Sequence, residues 1–231
     1  MKRLDLILNG KGGVGKSFFA VNFVQYLKDK GITHVAIDSD NENSTLKRFH
    51  PDARFVDLDD RRGPDAIFST LEKSNLVVMD CRAASTDLFI DFFAQINLPT
   101  VLSALGASLT LVMPVNHESD SVDQVQRLAD EFGKKCNYVV VRNAAHSESF
   151  TLYEGSEVCA QLKDKLGGKE IAMSQLQDWL VVALNEQNLT ITAAVKHPAF
   201  SLLDRQRLQT WQHKFYAGIE SAADLLLPAK P

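Results

Sequence analysis

Residues 10–17, Gly10-Lys11-Gly12-Gly13-Val14-Gly15-Lys16-Ser17, gather three kinds of chemistry in one short run. The glycines let successive backbone N–H groups converge without obstruction from Cβ atoms, which makes a concavity for an anion at the start of a helix. Lys16 adds an ammonium that can reach the β- and γ-phosphates of a nucleotide, and the Ser17 hydroxyl can ligate Mg²⁺. The spacing satisfies G-x-x-x-x-G-K-[ST] at every fixed position. Lys11, at a variable position of that pattern, has no role in it and on this ground alone is solvated surface charge.

Three carboxylates and one amide stand where such a loop needs helpers. Asp38 and Asp40 follow an apolar run, at the strand end where ligands bind in open α/β sheets, although paired aspartates there also serve as turn or helix caps. Leu76-Val77-Val78-Met79-Asp80 is an apolar strand ending in an acid, a pattern whose aspartate holds Mg²⁺ through water. Arg82, two residues on, is either a phosphate or partner contact or a plain surface arginine. Asn143 ends another apolar run; its amide can donate and accept together, or it can cap a loop. Cys81, Cys136 and Cys159 are irregularly spaced with no CxxC pair, which fits a reducing compartment, and the six histidines are scattered.

These residues need a scaffold that brings distant strand ends together. Apolar runs at 4–8, 34–37, 76–79, 109–115 and 138–141 alternate with helical patterns at 17–28, 65–72, 86–95, 121–132 and 156–166. That alternation predicts a doubly wound α/β fold, a mostly parallel sheet with helices on both faces. From residue 174 the pattern is helical, with a break at His197-Pro198. No linker, repeat or low-complexity tract interrupts residues 1–231, which are expected to form a single domain. Residues 92–116 carry no charge, but Pro99, Gly106 and Pro114 make them a turn, a short helix and a buried strand rather than a membrane span. The start, MKRLDLILNG, runs straight into the glycine loop and reads as a first strand, not a signal peptide.

The net charge of −4 gives no global reason to bind nucleic acid. Lys196, His197, Arg205, Arg207, His213 and Lys214 form a mildly basic, solvated face near the C-terminus, which leaves direct DNA binding undecided. The ending SAADLLLPAKP lacks the basic amphipathic character of a membrane-targeting helix.

The run KGGVGKSFFAVNFVQYLKDKGITHVAIDSDNENST resembles the opening of the ParA/MinD-type ATPases, P-loop proteins with a deviant first lysine. The resemblance covers roughly the first two-thirds of the chain. It implies a slow Mg-ATPase that dimerises on ATP, with Lys11 reaching across the dimer to the partner's nucleotide and Lys16 on its own. It further implies that Asp38 helps hold the Mg²⁺ shell with Ser17 and Asp80, that Asp40 orients the attacking water, and that Asn143 reads the adenine edge. Departures are plain: Phe18 replaces a second hydroxyl, removing a side-chain contact to the α-phosphate although residue 18 stays within the expected nucleotide contacts. Asn41 replaces a proline, and Cys81-Arg82-Ala83-Ala84-Ser85 replaces a proline-containing switch. These departures, the Leu98-Pro99 segment and the ending LDRQRLQTWQ are most similar to conjugal-transfer and plasmid-mobilisation ATPases of the TraL type. That branch implies a bacterial cytoplasmic protein whose partner belongs to a DNA-transfer or partition apparatus, with no membrane contact. The competing expectation is an ATP-dependent small-molecule ligase or kinase on the same scaffold, against which stand Lys11 and the lack of a nucleophile constellation. An iron–sulfur ATPase would need paired cysteines at a dimer axis, which Cys81 and Cys136 do not offer. A scaffold that binds nucleotide without hydrolysing it is disfavoured by the intact Asp38, Asp40 and Asp80.

Overall fold

A computed structural model describes residues 1–229. Chain order runs β1 (Lys2–Ile7), α1 (Lys16–Asp29), β2 (Val35–Asp38), α2 (Thr45–Phe49), β3 (Arg54–Phe55), α3 (Gly63–Lys73) and β4 (Leu76–Asp80). It continues with α4 (Thr86–Gln95), α5 (Leu98–Leu105), β5 (Ala107–Val115), α6 (Ser119–Phe132), β6 (Asn137–Asn143), α7 (Thr151–Glu154) and α8 (Glu157–Asp164). The last elements are β7 (Lys169–Met173), α9 (Asp178–Gln187), α10 (Ile191–Ala194), α11 (Leu202–Ser221) and α12 (Ala223–Leu226).

The seven strands form one parallel sheet in the order β3-β2-β4-β1-β5-β6-β7, as the continuous apolar runs require of a sheet covered on both faces. Alternation along each strand divides the core. Leu4, Leu6, Met79, Leu111 and Val140 face α3–α6 and α8, whereas Ile7, Val78, Val112 and Val141 face α1 and α9–α12. The second layer is an aromatic seam between α1 and α11: Phe18 meets Trp211, Phe19 meets Phe215 and Tyr26 meets Tyr216, with ring centroids 4.9–5.4 Å apart.

Two strands escaped the sequence pattern. β3 is a two-residue edge, and β7 reads Lys-Glu-Ile-Ala-Met, two charged residues followed by an apolar run of only three. The uncharged residues 92–116 resolve into the end of α4, a turn, α5 and the buried β5. Among the described residues no single helix is long and apolar enough to cross a membrane, and α4 and α5 meet at a 74° bend.

Register then assembles the site. Asp38 pairs with Asp80 across β2 and β4, and Asp80 with Ile7 across β4 and β1. The carboxyl ends of three neighbouring strands thus open on one edge. The glycine loop leaves β1 at that row, at the point where successive strands begin to be added on opposite sides.

Candidate functional site: a phosphate cradle and an apolar pocket

The loop between β1 and α1 is held open by partners far away in sequence. Asn9 donates to the carbonyls of Pro114 and Ser121 (2.9 and 3.0 Å) and accepts from the Lys11 backbone N–H (3.0 Å). Gly13 (φ +75°) and Gly15 (φ +96°) occupy the left-handed region, where a Cβ is strained. A Cβ on Gly15 would also stand 2.3 Å from the Asn143 amide nitrogen, so close approach requires glycine there. Helix α1 starts with Gly15 as N-cap, no side-chain cap and no acid in its first turn. Its leading N–H groups are therefore free to meet an anion at the positive end of the helix dipole.

Lys16 is largely buried, and its ammonium donates to the carbonyls of Asn9 and Lys11, both at 2.8 Å. Burial lowers its pKa below the ordinary lysine value, with Asp80 pulling the other way. Gly12, Gly13, Gly15, Lys16, Ser17 and Phe18 line a polar cavity of about 500 Å³, closed on its far side by Asp40–Asn43 and by Cys81–Ala83. Gly10 and Val14 back the loop instead. Gly10 lies beneath Gln124 and Thr86, and the Val14 side chain is fully buried.

The three aspartates differ. Asp80 is fully buried, and among the described residues neither of its oxygens has a hydrogen-bond partner. Burial pushes its pKa up to about 7; the neighbouring Ser17 hydroxyl and Lys16 oppose this, while Asp38 and Asp40 add to it. A buried carboxylate with free lone pairs beside a serine hydroxyl is an oxygen donor set suited to a hard cation, so Ser17 and Asp80 fit Mg²⁺. Asp38 is also buried, but its two oxygens accept the backbone N–H groups of Asp40 and Lys47, each at 3.0 Å. Burial raises its pKa and these two bonds restrain the rise. Asp40 accepts the N–H groups of Glu42 and Asn43 (3.0 and 3.2 Å), folding the β2–α2 loop into a turn at the cavity's mouth. Both acids thus shape the loop, and Asp40 also lines the cavity.

Lys11 points away from the cradle. Its ammonium lies 3.2 Å from Glu118 and 3.1 Å from Asp120, at the start of α6, and these carboxylates raise its pKa. The side chain keeps about a third of its exposure, so it sits on the outer rim of the loop.

A second, apolar cavity of about 290 Å³ adjoins the first at Gly13, Gly15 and Phe18. Val21, Phe49, Leu176, Val181, Leu184 and Ile191 supply much of its wall, with Asn143 and His146 at one end. Asn143 is a strut here: it donates to the Val14 carbonyl (3.0 Å) and accepts from the Ala145 N–H (3.1 Å) while lining the pocket. Phe18 packs edge-on against Trp211 at 5.4 Å, so the position that loses a hydroxyl gains an anchor to α11.

Sequence reasoning missed several residues of this arrangement. Asn9, Glu118, Asp120 and Asp59, which holds the Arg82 guanidinium, all act across gaps in the chain that no local pattern records. Among the described residues no group of three or more His, Cys, Asp or Glu forms a metal cluster.

A fold in which a phosphate loop follows β1 of a parallel sheet defines a P-loop nucleotide-binding protein. Residues 6–165 match the family model of the CobQ/CobB/MinD/ParA nucleotide binding domain, and the chain belongs to that family. Along 97% of its length it is 27% identical to protein TraL of Escherichia coli, all of which is covered. It is 24% identical to protein MobD of Acidithiobacillus ferrooxidans over 92% of this chain and 94% of that protein. The fold is shared with the septum site-determining protein MinD complexed with Mg-ADP from Pyrococcus horikoshii (TM-score 0.53, 15% identity, 98% of this chain and 99% of that one).

Proposed function

We propose that this chain is a Mg-ATP-binding, slowly hydrolysing ATPase that works as a nucleotide-dependent dimerisation switch in plasmid conjugal transfer, mobilisation or partition. One observation carries the nucleotide part. The glycine loop, Lys16, Ser17 and an unpartnered, buried Asp80 converge at a helix N-terminus, on one edge of the sheet. A triphosphate lies there with its charge against the α1 N–H groups and Lys16, and its base end in the apolar pocket beside Asn143 and Phe18. Ser17 and Asp80, with help from Asp38, would hold Mg²⁺, whose charge would neutralise that of the phosphates. Asp40, at the mouth, orients the attacking water, and in this reading Lys11 leaves Glu118 and Asp120 to serve a facing copy. Phosphoryl transfer depends mainly on such positioning and charge neutralisation, so a cation supplied by a second copy makes turnover depend on association.

The similarity to TraL and MobD supports a partner in a DNA-transfer or partition apparatus; a bacterial cytoplasmic location without membrane contact is part of the same proposal. The experiment is ATP binding and phosphate release by wild type and Lys16→Ala. Removing the ammonium abolishes both; micromolar ATP affinity in the variant would overturn the assignment.

A further inference from the structure

The cradle described above contains one cation that the family pattern does not assign. Arg82 stands two residues beyond Asp80 and lines the same cavity as Gly12, Lys16, Ser17 and Asp40. Lys16 and Arg82 are the two cationic side chains on that cavity's wall among the described residues. The Arg82 guanidinium is turned aside: Nη1 and Nη2 fork onto the Asp59 carboxylate at 2.9 and 2.5 Å, while Nε is buried with no partner among the described residues. Asp59 belongs to the β3–α3 loop and is more than half exposed, whereas Arg82 is mostly covered. A single wet carboxylate holds the guanidinium weakly compared with a phosphate group bearing two charges in a sheltered cavity.

The backbone around Arg82 is tied to the nucleotide loop. Its N–H donates to Ser39 Oγ (3.0 Å), the Ala84 N–H donates to the Gly10 carbonyl (3.0 Å), and a Cβ on Gly12 would lie 3.9 Å from that of Ala83. Ala84 is a non-glycine residue at φ +56°, a conformation held in place by these ties. The segment therefore joins the phosphate loop at one end and the Asp59 loop at the other, with a forked cation between them.

We propose that Arg82 is a γ-phosphate-reading residue, which exchanges its fork on Asp59 for the terminal phosphate when a triphosphate binds. The inference rests on the nucleotide reading above and adds the element that tells ATP from ADP. Asp59 is the resting partner, so ATP binding frees the β3–α3 loop. Arg82 here is a binding and sensing group; its guanidinium stays protonated throughout, and no bond is made or broken in the exchange.

The test is calorimetric titration of the full chain with Mg-ATPγS and with Mg-ADP, on wild type, Arg82→Ala, Arg82→Lys, Asp59→Asn and the Arg82→Ala/Asp59→Asn double variant. Loss of a charged hydrogen bond to the γ-phosphate weakens Mg-ATPγS binding by about tenfold to a hundredfold in Arg82→Ala, with Mg-ADP affinity within about twofold of wild type. Asp59→Asn raises the ATPγS-to-ADP affinity ratio, because the competing carboxylate is gone, and the double variant behaves as Arg82→Ala alone. Arg82→Lys keeps a point charge without the fork and falls between. If Arg82→Ala shifts both nucleotides by one factor, or Asp59→Asn lowers the ratio, the pair is a structural clasp and the inference is overturned. Should thermal melting show that Arg82→Ala does not fold, Asp59→Asn and Arg82→Lys decide on the same ratio. Wild type that binds neither nucleotide overturns the proposed function, and this inference with it. Wild-type binding with an unchanged ratio in the variants overturns the role of Arg82 alone.

Discussion

Gly13→Ala and Gly15→Ala separate backbone strain from steric collision within one loop. Both glycines sit at positive φ, +75° and +96°, where an alanine costs about 1–2 kcal/mol. At Gly13 nothing among the described residues lies within 4 Å of the added methyl, so strain is the whole effect. At Gly15 the methyl would lie 2.3 Å from Asn143 Nδ2 and 3.2 Å from Met173 Cε. The methionine can swing away. The asparagine cannot do so cheaply, because its amide is fixed to the Val14 carbonyl and the Ala145 N–H. Overpacking of this kind adds about 1–3 kcal/mol, which brings Gly15→Ala to roughly 2–5 kcal/mol against about 1–2 for Gly13→Ala. If the loop must keep its shape to hold phosphate, these energies appear as loss of nucleotide affinity. At 1.4 kcal/mol per tenfold, that is about five- to thirtyfold for Gly13→Ala and from about thirtyfold to a few thousandfold for Gly15→Ala. Titration with Mg-ADP, paired with thermal melting to detect any share taken as lost stability, reads both. Equal effects for the two variants, or a Gly15→Ala protein with wild-type affinity and melting temperature, would refute the claim that Asn143 braces the loop at Gly15.

Three further outcomes follow from the same geometry. Phe18→Thr restores a hydroxyl beside the α-phosphate position but breaks the contact with Trp211; melting should fall by the equivalent of about 1–2 kcal/mol for a half-buried aromatic while ADP affinity rises. Asp5 is fully buried, its oxygens within hydrogen-bond geometry of no partner among the described residues, and burial holds its pKa well above the usual carboxylate value despite Arg3 and the Thr110 hydroxyl nearby. The folded state therefore binds a proton that the unfolded state has released, so wild-type stability declines as pH rises from about 4 towards the folded value, and Asp5→Asn lacks that decline when melting is followed between pH 4 and 8. Asp40→Ala should bind Mg-ATP yet release phosphate slowly, and phosphate release at the wild-type rate would remove Asp40 from the role of orienting water.

The parts legible in the sequence were those whose cause is local. The glycine loop declares itself because backbone convergence demands glycine at fixed short spacing, and the five central strands because burial on both faces demands continuous apolar runs. β7 did not declare itself: an edge strand with Lys169 and Glu170 half covered has no such demand on it. Asp38 and Asp40 were open between turn formation and ligand handling, and the structure shows the turn bonds directly, since carboxylates at a strand end satisfy nearby N–H groups whatever else they do. Asn143 was expected at the base, yet its brace on Val14 spans 129 residues and lies beyond any pattern. The same holds for Arg82 on Asp59 and Lys11 on Glu118 and Asp120, pairs that exist because the sheet order brings separate loops to one edge.

The most direct measurement is solution mass by light scattering, in Mg-ATP and in Mg-ADP, on wild type, Lys11→Ala and Asp40→Ala. A dimerisation switch predicts a dimer of wild type in Mg-ATP alone, a trapped dimer for Asp40→Ala and a monomer for Lys11→Ala. A mass that ignores nucleotide in all three would contradict the switch, make Lys11 an ordinary surface cation paired with Glu118 and Asp120, and turn the assignment towards an ATP-dependent small-molecule ligase or kinase.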